Sequence, residues 1–432
     1  MLCDKKMRNV PILLMLVAQG AFADVRGEVD AIYPQVKALY RELHQNPELS
    51  NQEVKTAARL AAQLRTLGFE VTTGIGGTGF VGVLKNGAGP TVVLRTELDG
   101  LPVTEATGLP FASKVRVKDA SGAEVGVMHA CGHDAHMAAW IGTATILSKT
   151  KSTWRGTLVL VGQPAEEIGV GAKAMMADGL LKKIPRPDFA LALHDDSRRP
   201  AGEIGYLAGP IMTNVDYLDI TVHGRGGHGA RPESTIDPVV IASRIVVTLQ
   251  TIVARENSPF DPAVITVGSI RGGTKHNVIP DEVKLQITVR SFTPEVREKL
   301  IAAIGRIARA EAQAANAPRE PTITRAIVAE ALVNDPALTA RVSEALLREL
   351  GPDQVKTAER EMIGEDFTEW QLAGVPSLTL RVGTVNREKF DAAQKGGEPL
   401  PSLHSALFAP EEEPTLKAAV AAEVIALREL LK

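Results

Sequence analysis

The stretch His129-Ala130-Cys131-Gly132-His133-Asp134-Ala135-His136 places three imidazoles, a thiol and a carboxylate within eight residues. The whole chain has only nine His and two Cys, so an ordinary loop would rarely gather this set. A polar loop with incidental histidines is the plain alternative. A transition-metal site, however, needs neutral imidazole, thiolate and carboxylate donors side by side, and this stretch supplies all three. A fold for this chain has to bring these side chains to one place and find further donors for them.

At 432 residues the chain is long for one core and implies two or three domains. With 44% hydrophobic and 23% charged residues it reads as a globular protein, and a formal charge of -3 without any basic run excludes a nucleic-acid footprint. Small or peptide-like ligands are the expected partners. The first 23 residues stand apart. Lys5, Lys6 and Arg8 precede an apolar run from Val10 to Val17, and Ala21-Phe22-Ala23 is a small-x-small cleavage site. This order predicts a cleaved signal peptide over residues 1–23, a secreted or periplasmic mature protein beginning at Asp24, and no stable membrane anchor, because the run is short for a bilayer span. Cleavage removes Cys3 and leaves Cys131 as the one thiol, unable to form an internal disulfide. Burial as a metal-bound thiolate would make a lone thiol tolerable in an oxidising compartment.

Along the chain, apolar residues at 29, 32, 33, 36, 39, 40 and 43 predict a helix. Ser50 and Glu53 read as a capping box for a second helix ending at Gly68. Gly74 to Gly79 matches GxGxxG, but Phe80 to Leu84 reads as a strand and not as a phosphate-facing helix, so the glycines predict a hairpin turn. Gly224 to Gly229 matches too and fails for a similar reason. Strands at 91–95, 157–161 and 188–193 each run into a polar cluster: Glu97 and Asp99, Glu166 and Glu167, and His194. A helix at 137–148 lies between them. This alternation predicts an α/β fold with a mainly parallel sheet, helices on both faces, and ligands at the carboxyl ends of the strands.

After Pro210 the predicted order becomes strand 215–222, helix 236–255, strands 263–270 and 278–292, helix 294–315 and strand 322–328. That βαββαβ order predicts an inserted α+β ferredoxin-like domain over 213–328. Residues 24–212 and 329–432 then form the main domain, closed by helix 336–350, strand 375–382 and helix 414–431.

With these pieces placed, the chain resembles the metallopeptidase family of aminoacylases, glutamate-releasing zinc carboxypeptidases, and hippurate or auxin-conjugate amidohydrolases, in its Cys-containing amidohydrolase branch. The marks are LRTELDGLPV at 94–103, HACGHDAH at 129–136, GQPAEE at 162–167, ALH at 192–194, GHGARP at 227–232, HNVIPD at 276–281, GEDF at 364–367 and LHS at 403–405. The resemblance implies that Cys131, His133, Glu167, His194 and His404 bind two divalent ions. Zinc is the favoured ion, with Mn, Co or Ni as alternatives. It implies Glu166 as general base, Asp99 as the acid orienting a ligand, and Asn277 as the contact for a substrate carboxylate. His228 would reach a partner's site across a homodimer and steady an oxyanion. Glu97 stands where this branch usually has Asp. His129 and His136 are equally readable as packing residues, and Asp366 as structural.

The activity implied is amide hydrolysis of an N-acyl amino acid or short peptide by a metal-activated water. A metallocarboxypeptidase or dipeptidase on the same scaffold is the second reading, and a metal-retaining binding protein without turnover is the third. No G-x-S-x-G or H-E-x-x-H points to serine or helical zinc chemistry.

Overall fold

The computed structural model describes residues 24–118 and 122–432; the expected leader, residues 1–23, lies outside the described residues. An eight-stranded sheet runs in the order Glu70–Ile75, Gly79–Asn86, Gly156–Gln163, Thr91–Glu97, Phe189–Pro200, Ser377–Val385, Ile204–Tyr206, Val355–Thr357. The four strands from Gly156–Gln163 to Ser377–Val385 are mutually parallel, and antiparallel pairs flank them. Period two explains why this sheet is covered twice. Leu94, Leu158, Leu160, Leu191 and Leu193 pack into one core with helices Val25–Gln45, Val54–Thr66, His133–Lys149, Pro336–Leu350 and Glu412–Leu430. Their neighbours Val93, Val159, Val161, Ala190 and Ala192 pack into another with Met175, Leu180, Phe367 and Trp370.

Helix His133–Lys149 is buried from His133 through Leu147, wedged between the sheet and the first and last helices. It begins four residues earlier than its apolar pattern suggests. Its first turn carries His133, Asp134 and His136, and Trp140 secures it by donating to the Leu94 carbonyl at 3.1 Å. Gly74 to Gly79 forms the expected hairpin between antiparallel strands, not a nucleotide loop.

A second, four-stranded sheet comprises Ala263–Arg271, Glu282–Ser291, Asn214–His223 and Thr322–Ala329 in that order, all antiparallel. In chain order this is 2-3-1-4, the ferredoxin-like arrangement. Its buried residues, among them Leu218, Ile220, Leu285 and Ile287, meet Ile241, Ile245, Leu300 and Ile304 of the helices Pro238–Thr251 and Pro294–Ala314 in a core of their own.

Two local readings change. The expected strand 278–292 is broken, because Pro280 cannot donate to a ladder: Val278–Ile279 pairs with Gly227–His228, and Glu282–Ser291 belongs to the four-stranded sheet. The capping box does not form. Glu48 accepts the Lys55 and Thr56 amides at 3.2 and 2.8 Å, which frees Ser50 and Glu53 for longer-range work. Ser50 donates to Asp99 at 2.7 Å, while Glu53 accepts from Ala165 N–H at 2.8 Å and Thr78 at 2.7 Å.

Candidate metal centre

The strand ends and the start of helix His133–Lys149 converge. Cys131, His133 and His194 bring ligand atoms within 4.8 Å of one another, as do Cys131, Glu167 and His404, and His133, Glu166 and Glu167. The five expected ligands and the expected base therefore form one cluster with shared members.

Several backbone features fix it. Gly132 opens the helix at φ 80°, and a Cβ there would lie 2.0 Å from Asp195 Oδ2, so only glycine lets Cys131 and His133 turn inward together. Ala165, at φ 51°, bends the chain before the Glu166-Glu167 pair, held by the Glu53 carboxylate. Asp99 accepts the amides of Glu166 and Glu167 at 3.2 and 3.1 Å, and its main-chain carbonyl accepts His133 Nδ1–H at 2.8 Å. The Asp99 carboxylate is farther from that nitrogen, at 3.6 Å. Asp99 thus orients His133 through its carbonyl and the Glu pair through its carboxylate, leaving His133 Nε2 with its lone pair directed outward. His194 is held in the same manner, Nδ1 donating to the Asp195 carbonyl at 2.9 Å, with Nε2 3.6 Å from Cys131 Sγ. His404 takes φ 65°, with its amide donating to the Ala130 carbonyl at 2.8 Å and Nε2 3.3 Å from Glu167.

The donor set fits a pair of divalent ions. His133 Nε2 and Glu167 Oε1 are buried without a hydrogen-bond partner among the described residues, which is costly unless something cationic lies between them. Burial, then the charges of Glu167 and Glu166, push the Cys131 thiol well above its usual range. Burial and the Glu365 charge likewise push Glu166 up. On His133 burial disfavours the cation, yet Asp99 and the Glu97 and Glu167 charges outweigh it and raise the group to about 9. Without an ion these groups favour protons; divalent cations in their place would satisfy thiolate, imidazole and carboxylates together.

Behind the cluster lies a buried ionic layer that the sequence did not disclose. Arg95 bonds to Glu97, to Glu365 at 2.8 Å, to Asp366 at 2.9 Å and to Gln163 at 2.9 Å. Asp366 also accepts from Gln163 at 2.7 Å and Ala172 N–H at 2.9 Å, so its role is to tie the layer together. Glu365 and Asp366 reach within 4.8 Å of Glu166. The long Glu97 side chain meets both Arg95 and His136 Nδ1, the latter at 3.1 Å, and His136 Nε2 accepts the Asp195 amide at 2.9 Å. His136 is therefore a positioning group, while both ring nitrogens of buried His129 have no hydrogen-bond partner among the described residues. GEDF and LRTE were visible as motifs, but no spacing announces a pairing across 270 residues.

The turn carrying His228 lies beside Asn277, and neither residue joins the cluster. Gly229 N–H donates to the Asn277 carbonyl at 2.9 Å, both side chains are exposed, and neither lines the cavity onto which Cys131, Glu166, Glu167, His194 and His404 open. That cavity, of about 890 Å³, lies between the two sheets, with Tyr217, Arg290 and Val328 on its far wall.

A family model described as peptidase family M20/M25/M40 matches residues 93–395. Thermostable carboxypeptidase 2 of Saccharolobus solfataricus is 37% identical over 369 residues, covering 84% of this chain and 90% of that one. N-acetyl-L-cysteine deacetylase of Bacillus subtilis is 36% identical over 355 residues, covering 81% and 80%. Among solved structures, the Bacillus subtilis YxeP protein, described as a dinuclear metal binding peptidase from the M20 family, superposes with a TM-score of 0.76 at 31% identity, covering 93% of this chain and 99% of that one. Motif, fold and relatives agree: the chain belongs to peptidase family M20/M25/M40.

Proposed function

We propose that this chain is a metal-dependent amidohydrolase that cleaves N-acyl amino acids or short peptides. The observation that carries it is the junction of Glu166 with the donor set: a free carboxylate sits beside Glu167, His133 and an open cavity. Cys131, His133, Glu167, His194 and His404 would hold two ions, which when bound polarise an amide carbonyl and acidify a water. Zinc suits the mixed Cys and His donors best, with Mn, Co or Ni as alternatives. Glu166 takes a proton from the attacking water and delivers it to the departing amine nitrogen, its backbone held by donation of its own amide to Asp99. Arg290 lines the cavity and bonds to the Met362 carbonyl at 2.7 Å, leaving its charge available to a substrate carboxylate.

That neither His228 nor Asn277 lines the cavity supports a homodimer in which each inserted domain serves its neighbour. The edge strand Ala263–Arg271 and the exposed Val240 and Val247 of the adjacent helix offer a surface for it. The basic, apolar, Ala-x-Ala order of residues 1–23 supports export to the periplasm or medium. A carboxypeptidase reading is favoured by the name of the Saccharolobus relative. The deciding experiment is an assay of apoprotein reloaded with each metal against N-acyl amino acids and dipeptides. Hydrolysis of N-acyl amino acids restored by metal supports the amidohydrolase; turnover of peptides alone selects the carboxypeptidase, and metal binding without turnover selects a binding protein.

A further inference from the structure

Residues 361–366 run from the neck of the insert to the ionic layer behind the metal cluster. Glu361 N–H donates to the Ile211 carbonyl at 2.9 Å, and the residue pairs with Met212 in a parallel bridge. Thr213 donates to the Ile363 carbonyl from its N–H at 2.9 Å and from Oγ1 at 3.1 Å, and Arg290 of the four-stranded sheet bonds to the Met362 carbonyl at 2.7 Å. Gly364 lies so close to the insert that a Cβ there would stand 3.0 Å from Val215 Cγ2. Glu365 and Asp366 then bind Arg95 and reach within 4.8 Å of Glu166. A displacement at the start of this segment therefore arrives at the proposed base.

That start is held by charge, because the Glu361 carboxylate meets two guanidiniums. Arg198, 2.6 Å away, is half exposed, and a solvated pair of this kind fixes little. Arg381 is 1% exposed, has Glu361 as its ion partner, and stands in register with His194 on the neighbouring strand. None of its three guanidinium nitrogens is aligned for a hydrogen bond among the described residues. A buried cation with five N–H groups and one unaligned partner contributes little to stability, because desolvation offsets the attraction and an apolar side chain of similar volume would pack as well. It does supply a fixed point: Glu361 cannot move away without leaving that cation alone. Resting on the amidohydrolase reading, we infer that Arg381 and Glu361 are positioning residues of the reaction, holding segment 361–366 so that Glu365 and Asp366 set the place of the Glu166 carboxylate. Arg381 does not line the cavity, so it acts through this segment and not on substrate.

The test compares Arg381→Met, Arg381→Lys and the double variant Arg381→Met/Glu361→Gln with the wild type, each metal-loaded, on one N-acyl amino acid and one dipeptide. The double variant leaves no buried charge alone, so its Tm and metal content should match the wild type. Its kcat should nevertheless fall about 10- to 100-fold, the scale of a misplaced catalytic group, with KM within about twofold. Arg381→Lys should keep most of kcat, because this contact uses charge alone; Arg-to-Lys exchange is disruptive where hydrogen bonds are aligned. Hydrogen exchange at residues 361–366 should quicken in Arg381→Met and not in Arg381→Lys. Wild-type kcat in the double variant, a kcat loss explained by lost metal or lowered Tm, or a Lys variant as slow as the Met variant overturns this inference and leaves the amidohydrolase standing. Wild-type turnover of the dipeptide alone replaces the amidohydrolase by the carboxypeptidase, and the inference then stands or falls on the dipeptide kcat of the same variants. A wild type that turns over neither substrate overturns the amidohydrolase reading and this inference with it.

Discussion

The two sheets place polarity differently. In the four-stranded sheet, Glu282–Ser291 alternates between exposed or half-buried and fully buried positions over an aliphatic core, its buried Asp216 is paired with Arg297 at 2.7 Å and Arg325 at 2.8 Å near the strand end, and the functional candidates His228 and Asn277 beside it stand in solvent. In the eight-stranded sheet, Thr91–Glu97 is buried throughout, so Arg95 and Glu97 enter the interior with their charges and need partners there. The first arrangement yields a self-sufficient support; the second yields a preorganised site at the expense of isolated charges. Chemistry should therefore be lost by single substitutions throughout the body's site, and in the insert at the one exposed residue, His228, offered to a neighbouring site.

The largest effect expected is at the paired acids. Glu166→Gln should lower kcat by about 10²- to 10⁴-fold, about 3–5 kcal/mol of barrier, with metal content intact. Glu167→Gln should lose a metal as well, and elemental analysis beside kinetics separates the two. Near-normal kcat in Glu166→Gln, or exchanged phenotypes, would remove the assigned roles. Arg95→Met comes next. It leaves Glu97, Glu365 and Asp366 buried without their cation, which should cost about 3–5 kcal/mol in chemical denaturation. A loss no larger than at an exposed arginine such as Arg306 would show that the layer is solvated and the contrast between the sheets overstated.

His228→Ala probes the insert. Activity should fall by about 10²- to 10³-fold, as for loss of one oxyanion donor, with metals and folding unchanged. If the proposed homodimer forms, mixing His228→Ala with Glu166→Gln protomers should restore turnover, because one site of a mixed dimer would have both intact residues. Mixtures as inactive as their parents would place His228 outside the reaction.

The smallest effect concerns pH. His44 is buried between Asp134, at 2.6 Å, and Glu105, at 3.1 Å. Burial works against its charge, but these two acids prevail and raise it to about 10. A raised histidine contributes stability that is complete below its unfolded value of about 6.5 and is lost as pH climbs toward 10. The apoprotein should accordingly lose a few °C more of Tm between pH 7 and 10 than His44→Gln does, at about 2–4 °C per kcal/mol. Parallel slopes for both proteins would mean that His44 is neutral in the fold.

These differences also explain what the amino-acid sequence discloses. Helix Pro336–Leu350 coincides with its apolar period, and the βαββαβ order survives intact, because each element buries one face against a neighbour. Of the candidate metal donors, Cys131 and His133 are legible because imidazole and thiol are scarce and local spacing groups them, whereas Glu167, His194 and His404 came with the family resemblance. Arg95 with Glu365 is not legible: each is a common residue, and only the closed sheet brings them together. Ser50 misleads because an S-x-x-E spacing satisfies a helix start on paper, while Glu48 reaches those amides first and Ser50 turns to Asp99. Pro280 was a readable break in an otherwise strand-like run, and its missing N–H explains the division found there.

Gly132 bears on how such a site can change over generations. A side chain at that position meets two separate obstacles, the left-handed backbone and the Asp195 carboxylate 2.0 Å from where Cβ would stand. Relaxing either alone gains nothing, so no single substitution offers an intermediate with partial fitness. The candidate ligands at 131 and 133 can each be exchanged singly, but the turn between them can be altered only together with Asp195. Mutational tolerance around this centre should thus be lowest at a residue that contributes no ligand atom.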